Sequence, residues 1–559
     1  MTTLTPLEVL RRHPAHDHTL RGVLASRTQV RPQHVFIEFG ETRFSYAETL
    51  ARVDDAMALL AAKGVKPGDR IAVMSHNHPS TVITLVALAS LGAIMVGVNP
   101  DFGEKEVRYV LEHSESSGIL CSPAALPTVQ AVAGTLPVRP WIMANAANAA
   151  SAANASELPV FLDAPPTCRS AATRTTPTPV SRADDPCIII YTSGTTGFPK
   201  GVMHSQRSLM LSGEGFVRRM HLQPGDRLLC VLPMFHVNAI CYSLMGTIAA
   251  GATLLLEEKF SASNFWRVVA ARGATETNTI AAVMNILMRR PRDEFVPGHA
   301  LRKIYGAPLT PEMYRVFAQD FDVPHLIEGY GMSEIPGACN NPFDGERRQG
   351  SMGKPSLHPD PDVRLAEVKV QGDDGMPLAV DSIGELAVKT PMIMKGYYRD
   401  PQATASAFRD GFFLTGDLVR IDADGYVWFV ARKKDIIRRR GENISGAEVD
   451  RIAGDHPEVV EAAAIGVPAE LGEEEVLLAV VRKPASSLTE AALAQWCRER
   501  LAAFKVPRYI LFVDSLPRTP THRVAKFELR KDATLKERAL DVTTAGATPS
   551  PPNRNSASQ

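Results

Sequence analysis

Between Tyr191 and Gly201 the 559-residue chain reads Tyr191-Thr192-Ser193-Gly194-Thr195-Thr196-Gly197-Phe198-Pro199-Lys200-Gly201. Three glycines let the backbone turn tightly and bring N–H groups close to an anion. Three threonines and a serine add hydroxyl donors, and Lys200 adds a positive charge. An apolar run, Cys187-Ile188-Ile189-Ile190, leads into the segment and reads as a strand. A strand feeding such a loop is built to grip a polyphosphate. The Gly-Lys-Ser/Thr ending of a Walker loop is absent, so the grip is of another kind.

Four further segments follow in order: Tyr305-Gly306-Ala307-Pro308-Leu309, Glu328-Gly329-Tyr330-Gly331-Met332-Ser333-Glu334, Thr415-Gly416-Asp417 and Arg432-Lys433-Lys434-Asp435. With these in register behind the phosphate loop, the chain resembles the adenylate-forming superfamily of acyl-CoA synthetases, peptide-synthetase adenylation domains and firefly-type luciferases. The resemblance covers roughly residues 30 to 530. It implies an ATP-dependent acyl-CoA synthetase that makes an acyl-AMP from a carboxylic acid and passes it to coenzyme A. By the same resemblance the cofactors are ATP and Mg²⁺, with coenzyme A as the thiol. Thr192, Ser193, Gly194, Thr195, Thr196, Gly197 and Lys200 would bind phosphates. Gly306, Ala307 and Pro308 would border the adenine, together with Gly329, Tyr330, Gly331 and Met332. Ser333 would contact the α-phosphate, and Glu334, with Thr192, would hold Mg²⁺. Asp417 and Arg432 would bind the ribose. The chemistry agrees: adenine offers a π-face to Tyr330, and magnesium needs hard oxygen ligands. Asp435 falls where the family hinges. The run Arg438 to Ser445, with Gly441 and Glu442, resembles the loop beside the CoA thiol channel.

One segment departs from the family pattern. Where a catalytic lysine usually follows a glycine near the C-terminus, the chain has Pro517-Arg518-Thr519-Pro520-Thr521-His522-Arg523-Val524-Ala525-Lys526. Arg523 stands at the lysine's place and Lys526 lies three residues on. The task there is to neutralise charge on the carboxylate and α-phosphate. Arginine is cationic but a planar fork, not a substitute of equal shape. Arg523 and Lys526 are both candidates for the catalytic cation, beside Lys200 and Glu334. This ending, with Arg440-Gly441-Glu442-Asn443-Ile444-Ser445, resembles the crotonobetaine/carnitine–CoA ligase branch. Pro233-Met234-Phe235-His236 resembles a segment that gates the acyl pocket, with His236 as the gate. Asn238, Asn278, Met284 and Gly329 are candidate lining residues, and two asparagines would favour a small or polar acid. An adenylating enzyme that loads a separate carrier protein is the alternative reading.

These residues need elements to hold them. Residues 35 to 130 alternate apolar strands with amphipathic helices, such as Tyr46 to Lys63 with Leu50, Val53, Met57 and Leu60 on one side. That alternation predicts an α/β layered sheet. Thr81 to Val98 is nearly apolar but broken at Ser90 and Gly92, which predicts a buried helix and then a buried strand, not a membrane span. Residues 144 to 180 read as a loop or linker, and residues 365 to 430 as a smaller β lobe with Gly-Asp turns. The expected architecture is a large N-terminal domain of layered α/β sheets with a β lobe, residues 1–431. A small mobile α+β C-terminal domain follows, 432–535, and then a disordered tail, 536–559.

Composition narrows the rest. Lys+Arg and Asp+Glu both number 61, so the formal net charge is zero, and nothing favours nucleic acid or an anionic membrane. The seven cysteines have no metal-ligand spacing and suit a reducing cytoplasm. No secretory signal or peroxisomal address is read at the ends. A monomer or homodimer is expected, with a small carboxylic acid and CoA as its partners.

Overall fold

The computed structural model describes residues 3–137, 139–144, 177–192, 199–439, 442–469, 473–518 and 524–543. Two sheets build the large part of the molecule. The seven-stranded sheet centres on parallel strands Arg70–Met74, Ile94–Val98 and Pro186–Thr192. Lys200–Ser205 pairs antiparallel with Pro186–Thr192, and Gly396–Tyr397 beyond it is the edge strand. The nine-stranded sheet runs in parallel through Arg227–Cys230, Glu276–Asn278, Lys303–Gly306 and His325–Met332. It then turns antiparallel into Ile335–Asn340.

The segment Thr81 to Val98 folds as the spacing predicts. Helix Pro79–Ser90 is buried on every side, Gly92 turns the chain with φ +71, and strand Ile94–Val98 runs through the sheet interior. A helix that is apolar all round belongs between two sheets. One core cluster fills that space, with Val82, Leu85, Ile188, Leu228, Leu254 and Ile304 among its members. A second covers the opposite face of the seven-stranded sheet around Val96, Ile119 and Ile189. No helix among the described residues is long and apolar enough to cross a membrane. Cys121, Cys187, Cys230, Cys241, Cys339 and Cys497 are free, buried thiols.

The β lobe is a five-stranded antiparallel sheet of Glu367–Gln371, Ile383–Lys389, Phe408–Arg409, Phe412–Ile421 and Val427–Arg432. Arg432 is the last residue of that sheet, and the turn Lys433–Asp435 leads out of it. The C-terminal unit has its own sheet of Val459–Pro468, Glu474–Arg482, Tyr509–Phe512 and Leu540–Asp541. Its two faces carry separate clusters, around Val449, Leu478 and Leu493 and around Ile465, Tyr509 and Leu529.

One expectation fails here. Residues 536–543, read as the start of a disordered tail, are ordered. Helix Leu535–Arg538 buries Leu535, Leu540 pairs with Ile510, and Asp541 bonds Arg508 at 2.9 Å. Two apolar residues, Leu535 and Val542, are buried, and the strand pairing of exposed Leu540 with Ile510 adds to the docking of a segment that is otherwise polar. Residues 544–559 lie outside the described residues, as do 145–176 of the expected linker.

Candidate active site

The hairpin Pro186–Thr192 and Lys200–Ser205 presents the phosphate-loop segment at its tip, with Thr192 opposite Lys200. Ser193, Gly194, Thr195, Thr196 and Gly197 lie outside the described residues. At the hairpin's end the Lys200 ammonium sits 4.7 Å from the centre of the Tyr397 ring. The Tyr397 hydroxyl donates to Glu334 Oε1 at 2.8 Å. Lys200, Tyr397 and Glu334 therefore form one cluster at the base of the loop. Among the described residues Glu334 Oε2 engages no donor. A buried carboxylate with one free hard oxygen beside a phosphate loop fits a magnesium ligand.

Glu334 follows strand His325–Met332, and its backbone is fixed from two sides. Met394 N–H donates to the Glu334 carbonyl at 2.9 Å. His204 Nε2 donates to the Ser333 carbonyl at 2.6 Å. A carbonyl can only accept, so His204 carries its proton on Nε2. Full burial pushes the His204 pKa down to about 4, which keeps the ring neutral.

Two strands of the β lobe bring the next pair together. Asp417 and Arg432 face each other in register, and Arg432 Nε lies 3.2 Å from Asp417 Oδ1. The Tyr330 hydroxyl donates to Asp417 Oδ2 at 2.5 Å, which fixes the ring of the Gly-Tyr-Gly turn against the lobe. Gly416, at φ +70, takes the left-handed turn that aims Asp417 this way. Burial and the neighbouring Asp417 carboxylate both push the Tyr330 hydroxyl well above its ordinary pKa, so it stays a donor.

The loop Tyr305 to Leu309 leaves strand Lys303–Gly306 beside them. Buried Glu328 holds it in place: Oε1 accepts from Leu309 N–H at 3.0 Å and Oε2 from Gly350 N–H at 3.3 Å. Burial raises the Glu328 pKa to about 7. Met284 packs behind the loop, its sulfur 3.6 Å from where a Cβ on Gly306 would stand. His236 is half-buried with its ring 4.6 Å from Phe235, and Asn238 Oδ1 is buried without a partner.

Asn278 does not join them. Its amide bonds Ser243 Oγ at 2.7 Å and, in the orientation that satisfies both ends, donates to Glu276 Oε1 at 3.1 Å. The side chain is spent inside the sheet layer, so it lends no polarity to a pocket. Lys526 is also committed elsewhere. Its ammonium lies 2.5 Å from Asp450 Oδ2, and Asp450 also accepts from Ala464 N–H. That pair holds helix Gly446–Gly454 to helix Lys526–Lys531 inside the C-terminal unit. Arg523 and Gly441 lie outside the described residues; Glu442 is exposed opposite Arg439 in a short hairpin. Arg530 reaches the hinge candidate Asp435 at 3.4 Å.

Sequence reasoning missed Tyr397 and His204. Tyr397 lies within an unremarkable Lys395-Gly396-Tyr397-Tyr398 run, and only the pairing of Gly396–Tyr397 with Met203 and Val202 brings it to Lys200. His204 lies four residues past Lys200 on the inward face of the hairpin, a proximity that could have flagged it.

The AMP-binding enzyme family matches residues 24–398, and the AMP-binding enzyme C-terminal domain matches residues 448–523. Among curated proteins, a sulfoacetate–CoA ligase of Cupriavidus necator is 34% identical over 85% of this chain and 89% of its own length. A crotonobetaine/carnitine–CoA ligase of Shigella sonnei is 29% identical over 87% of this chain and 93% of its own. Among solved structures, ATP-bound MatB from Rhodopseudomonas palustris matches with a TM-score of 0.78 at 28% identity, over 91% of this chain and 98% of that one. With two family matches spanning both units and relatives covered nearly end to end, the chain belongs to the AMP-binding, adenylate-forming enzyme family.

Proposed function

We propose that this chain is an AMP-forming acyl-CoA synthetase whose adenylation centre is the cluster of Lys200, Tyr330, Glu334, Asp417 and Arg432. The observation that carries the reading is two sets of contacts, each drawn from distant segments. Tyr330 bonds Asp417, Asp417 pairs with Arg432, and Glu334 joins Tyr397 under Lys200. CoA-ligase relatives of nearly full length support the reaction class.

In the first half-reaction the acid's carboxylate attacks the α-phosphorus of ATP and pyrophosphate leaves. The protein's part is positioning and charge stabilisation. Tyr330 lies along the adenine, and the Gly306–Pro308 loop borders its other side. Asp417 accepts from the ribose hydroxyls, with Arg432 holding the carboxylate ionised. Lys200 and the Thr192–Gly197 segment hold the departing phosphates, and Ser333 contacts the α-phosphate. Glu334 and Thr192 would hold Mg²⁺, which neutralises polyphosphate charge when bound. Arg523 is the cation for the carboxylate and α-phosphate, since Lys526 is engaged by Asp450. In the second half-reaction the C-terminal unit turns about Asp435 and brings the Gly441–Glu442 side to the acyl-AMP. The CoA thiol attacks the acyl carbonyl, its proton leaves to solvent, and AMP departs. His236, Asn238 and Met284 border the acyl group.

The test is acid-dependent exchange of labelled pyrophosphate into ATP. Asp417→Asn removes the charge from a carboxylate that serves ribose, Tyr330 and Arg432. It is expected to lower kcat/KM for ATP by about 10- to 100-fold, the size of a lost charge-assisted hydrogen bond. Unchanged ATP kinetics would remove Asp417 from the site.

A further inference from the structure

Ser333 and Glu334 form the whole tip of a β-hairpin, since Met332 and Ile335 pair on either side of them. A two-residue hairpin turn favours types I′ and II′, which need a positive φ at one or both tip residues. Neither Ser333 nor Glu334 is among the described residues that take a positive φ. The tip therefore holds a backbone shape that its hairpin does not favour by itself. Turns related as types I and II differ by a half-turn of the central peptide, here the peptide between Ser333 and Glu334. Such a half-turn changes ψ of Ser333 and φ of Glu334, and with φ the direction in which the Glu334 side chain leaves the backbone. Groups outside the hairpin hold the tip. His204 Nε2 donates to the Ser333 carbonyl at 2.6 Å, and Met394 N–H to the Glu334 carbonyl at 2.9 Å.

His204 reaches this tip from the other sheet. It lies on strand Lys200–Ser205, four residues past Lys200, and is fully buried. That strand pairs with Pro186–Thr192, and Thr192 faces Lys200 at the base of the phosphate loop. Because Nε2 carries the proton and the ring is neutral, Nδ1 is an acceptor. The donor it faces is Ser208 Oγ at 3.1 Å, which also lies 2.9 Å from the Ser205 carbonyl. Ser208 sits in the first turn of helix Gln206–Met220 and is itself buried. One line of contacts, Ser208 to His204 to Ser333, thus joins the hairpin of the phosphate loop to the tip that carries Glu334. With the ring shut away from water, no solvent molecule competes for either of its bonds.

We propose that His204 is a positioning residue for adenylation: it holds the central peptide of the Ser333–Glu334 tip in the orientation that gives Glu334 to the cation of Mg-ATP. The inference rests on the ligase reading above and adds to it the residue that sets the metal ligand's direction. His204 acts through the Ser333 carbonyl and touches neither nucleotide nor acid. Without its donor the peptide is free to turn toward the shapes the hairpin favours. Glu334 then loses its direction, while Tyr330, Asp417 and Arg432 keep their contacts with one another. Metal binding and turnover separate from the hold on the nucleoside.

The experiment compares the wild-type protein with His204→Leu, His204→Gln and Ser208→Ala. Binding of Mn²⁺ in the presence of α,β-methylene-ATP, read from the paramagnetic resonance signal of free Mn²⁺, reports the metal ligand without turnover. Acid-dependent pyrophosphate exchange gives kcat and the KM for ATP. His204→Leu is expected to weaken Mn²⁺ binding by about 10-fold and lower kcat by about 100-fold, with the KM for ATP within about 3-fold. His204→Gln keeps an N–H donor at similar reach and is expected to stay within about 3-fold of wild type in both. Ser208→Ala loosens the ring and is expected to weaken Mn²⁺ binding by about 3-fold. Wild-type Mn²⁺ binding in His204→Leu, or a loss in His204→Gln as deep as in His204→Leu, would overturn the assignment. If His204→Leu does not fold, unchanged Mn²⁺ binding in Ser208→Ala overturns it instead. These results leave the ligase reading intact. A wild-type protein that shows no exchange with any acid would overturn that reading and this inference with it.

Discussion

Glu328 shows how one buried carboxyl can tie the site to pH. It holds the Leu309 and Gly350 N–H groups, and burial raises its pKa from the ordinary 4.5 to about 7. The folded protein therefore binds the proton more tightly than the unfolded chain. The stability this gives is full below pH 4.5 and is lost as pH rises through 7; a shift of that size corresponds to about 3 kcal/mol. Glu328→Gln should flatten the stability curve between pH 5 and pH 8, read as the urea midpoint at each pH, and parallel curves for the two proteins would contradict the argument. The candidate residues drew notice in the sequence because their motifs are local: Tyr330, Ser333 and Glu334 fall within five positions, and Asp417 follows a glycine that must turn. Tyr397 and His204 did not, since each acts through a partner at least 60 positions away.

The elements explain which side chains are free to act. Lys526 looked available in the sequence, three residues past Arg523, but two helices meet over it and Asp450. Removing the ammonium leaves a partly buried carboxylate unpaired. Lys526→Ala should cost the C-terminal unit about 2 kcal/mol, between the values for exposed and buried pairs. Asp450→Asn in the same protein should restore part of that loss in thermal denaturation. If Lys526→Ala abolished adenylation with no loss of Tm, Lys526 would return as the catalytic cation. The same logic applies to buried Glu214, which draws in His16 at 3.3 Å and His358 at 3.0 Å, with His18 at 3.9 Å. The Nδ1 atoms of His16 and His358 accept backbone N–H bonds, so their Nε2 atoms carry the protons and donate to the carboxylate. These contacts pin the N-terminal segment to helix Gln206–Met220, and the imidazole donors hold the Glu214 pKa down to about 2. Neither arrangement could be seen in the sequence, because periodicity reports which face of an element is buried and not what meets it.

At the scale of the molecule, two units with separate cores meet at the turn Lys433–Asp435. The layered α/β part was legible from its alternation of strands and helices, and the β lobe from its Gly-Asp turns. The ordered end at 535–543 was not, because three apolar residues in a polar stretch give no periodic signal. A single turn between two bodies suits a rotation that serves two half-reactions in one site. Asp435→Pro would fix φ at that turn, and is expected to impair the thioester-forming step, the adenylating step, or both; normal rates for both would contradict the hinge. The most direct test of the whole account is AMP formation from Mg-ATP across a panel of carboxylic acids, with and without CoA, alongside pyrophosphate release. The account predicts AMP and acyl-CoA formed in equal amounts only when both an acid and CoA are present. Pyrophosphate release with acid that is indifferent to CoA would contradict it and point to an enzyme that loads a carrier protein.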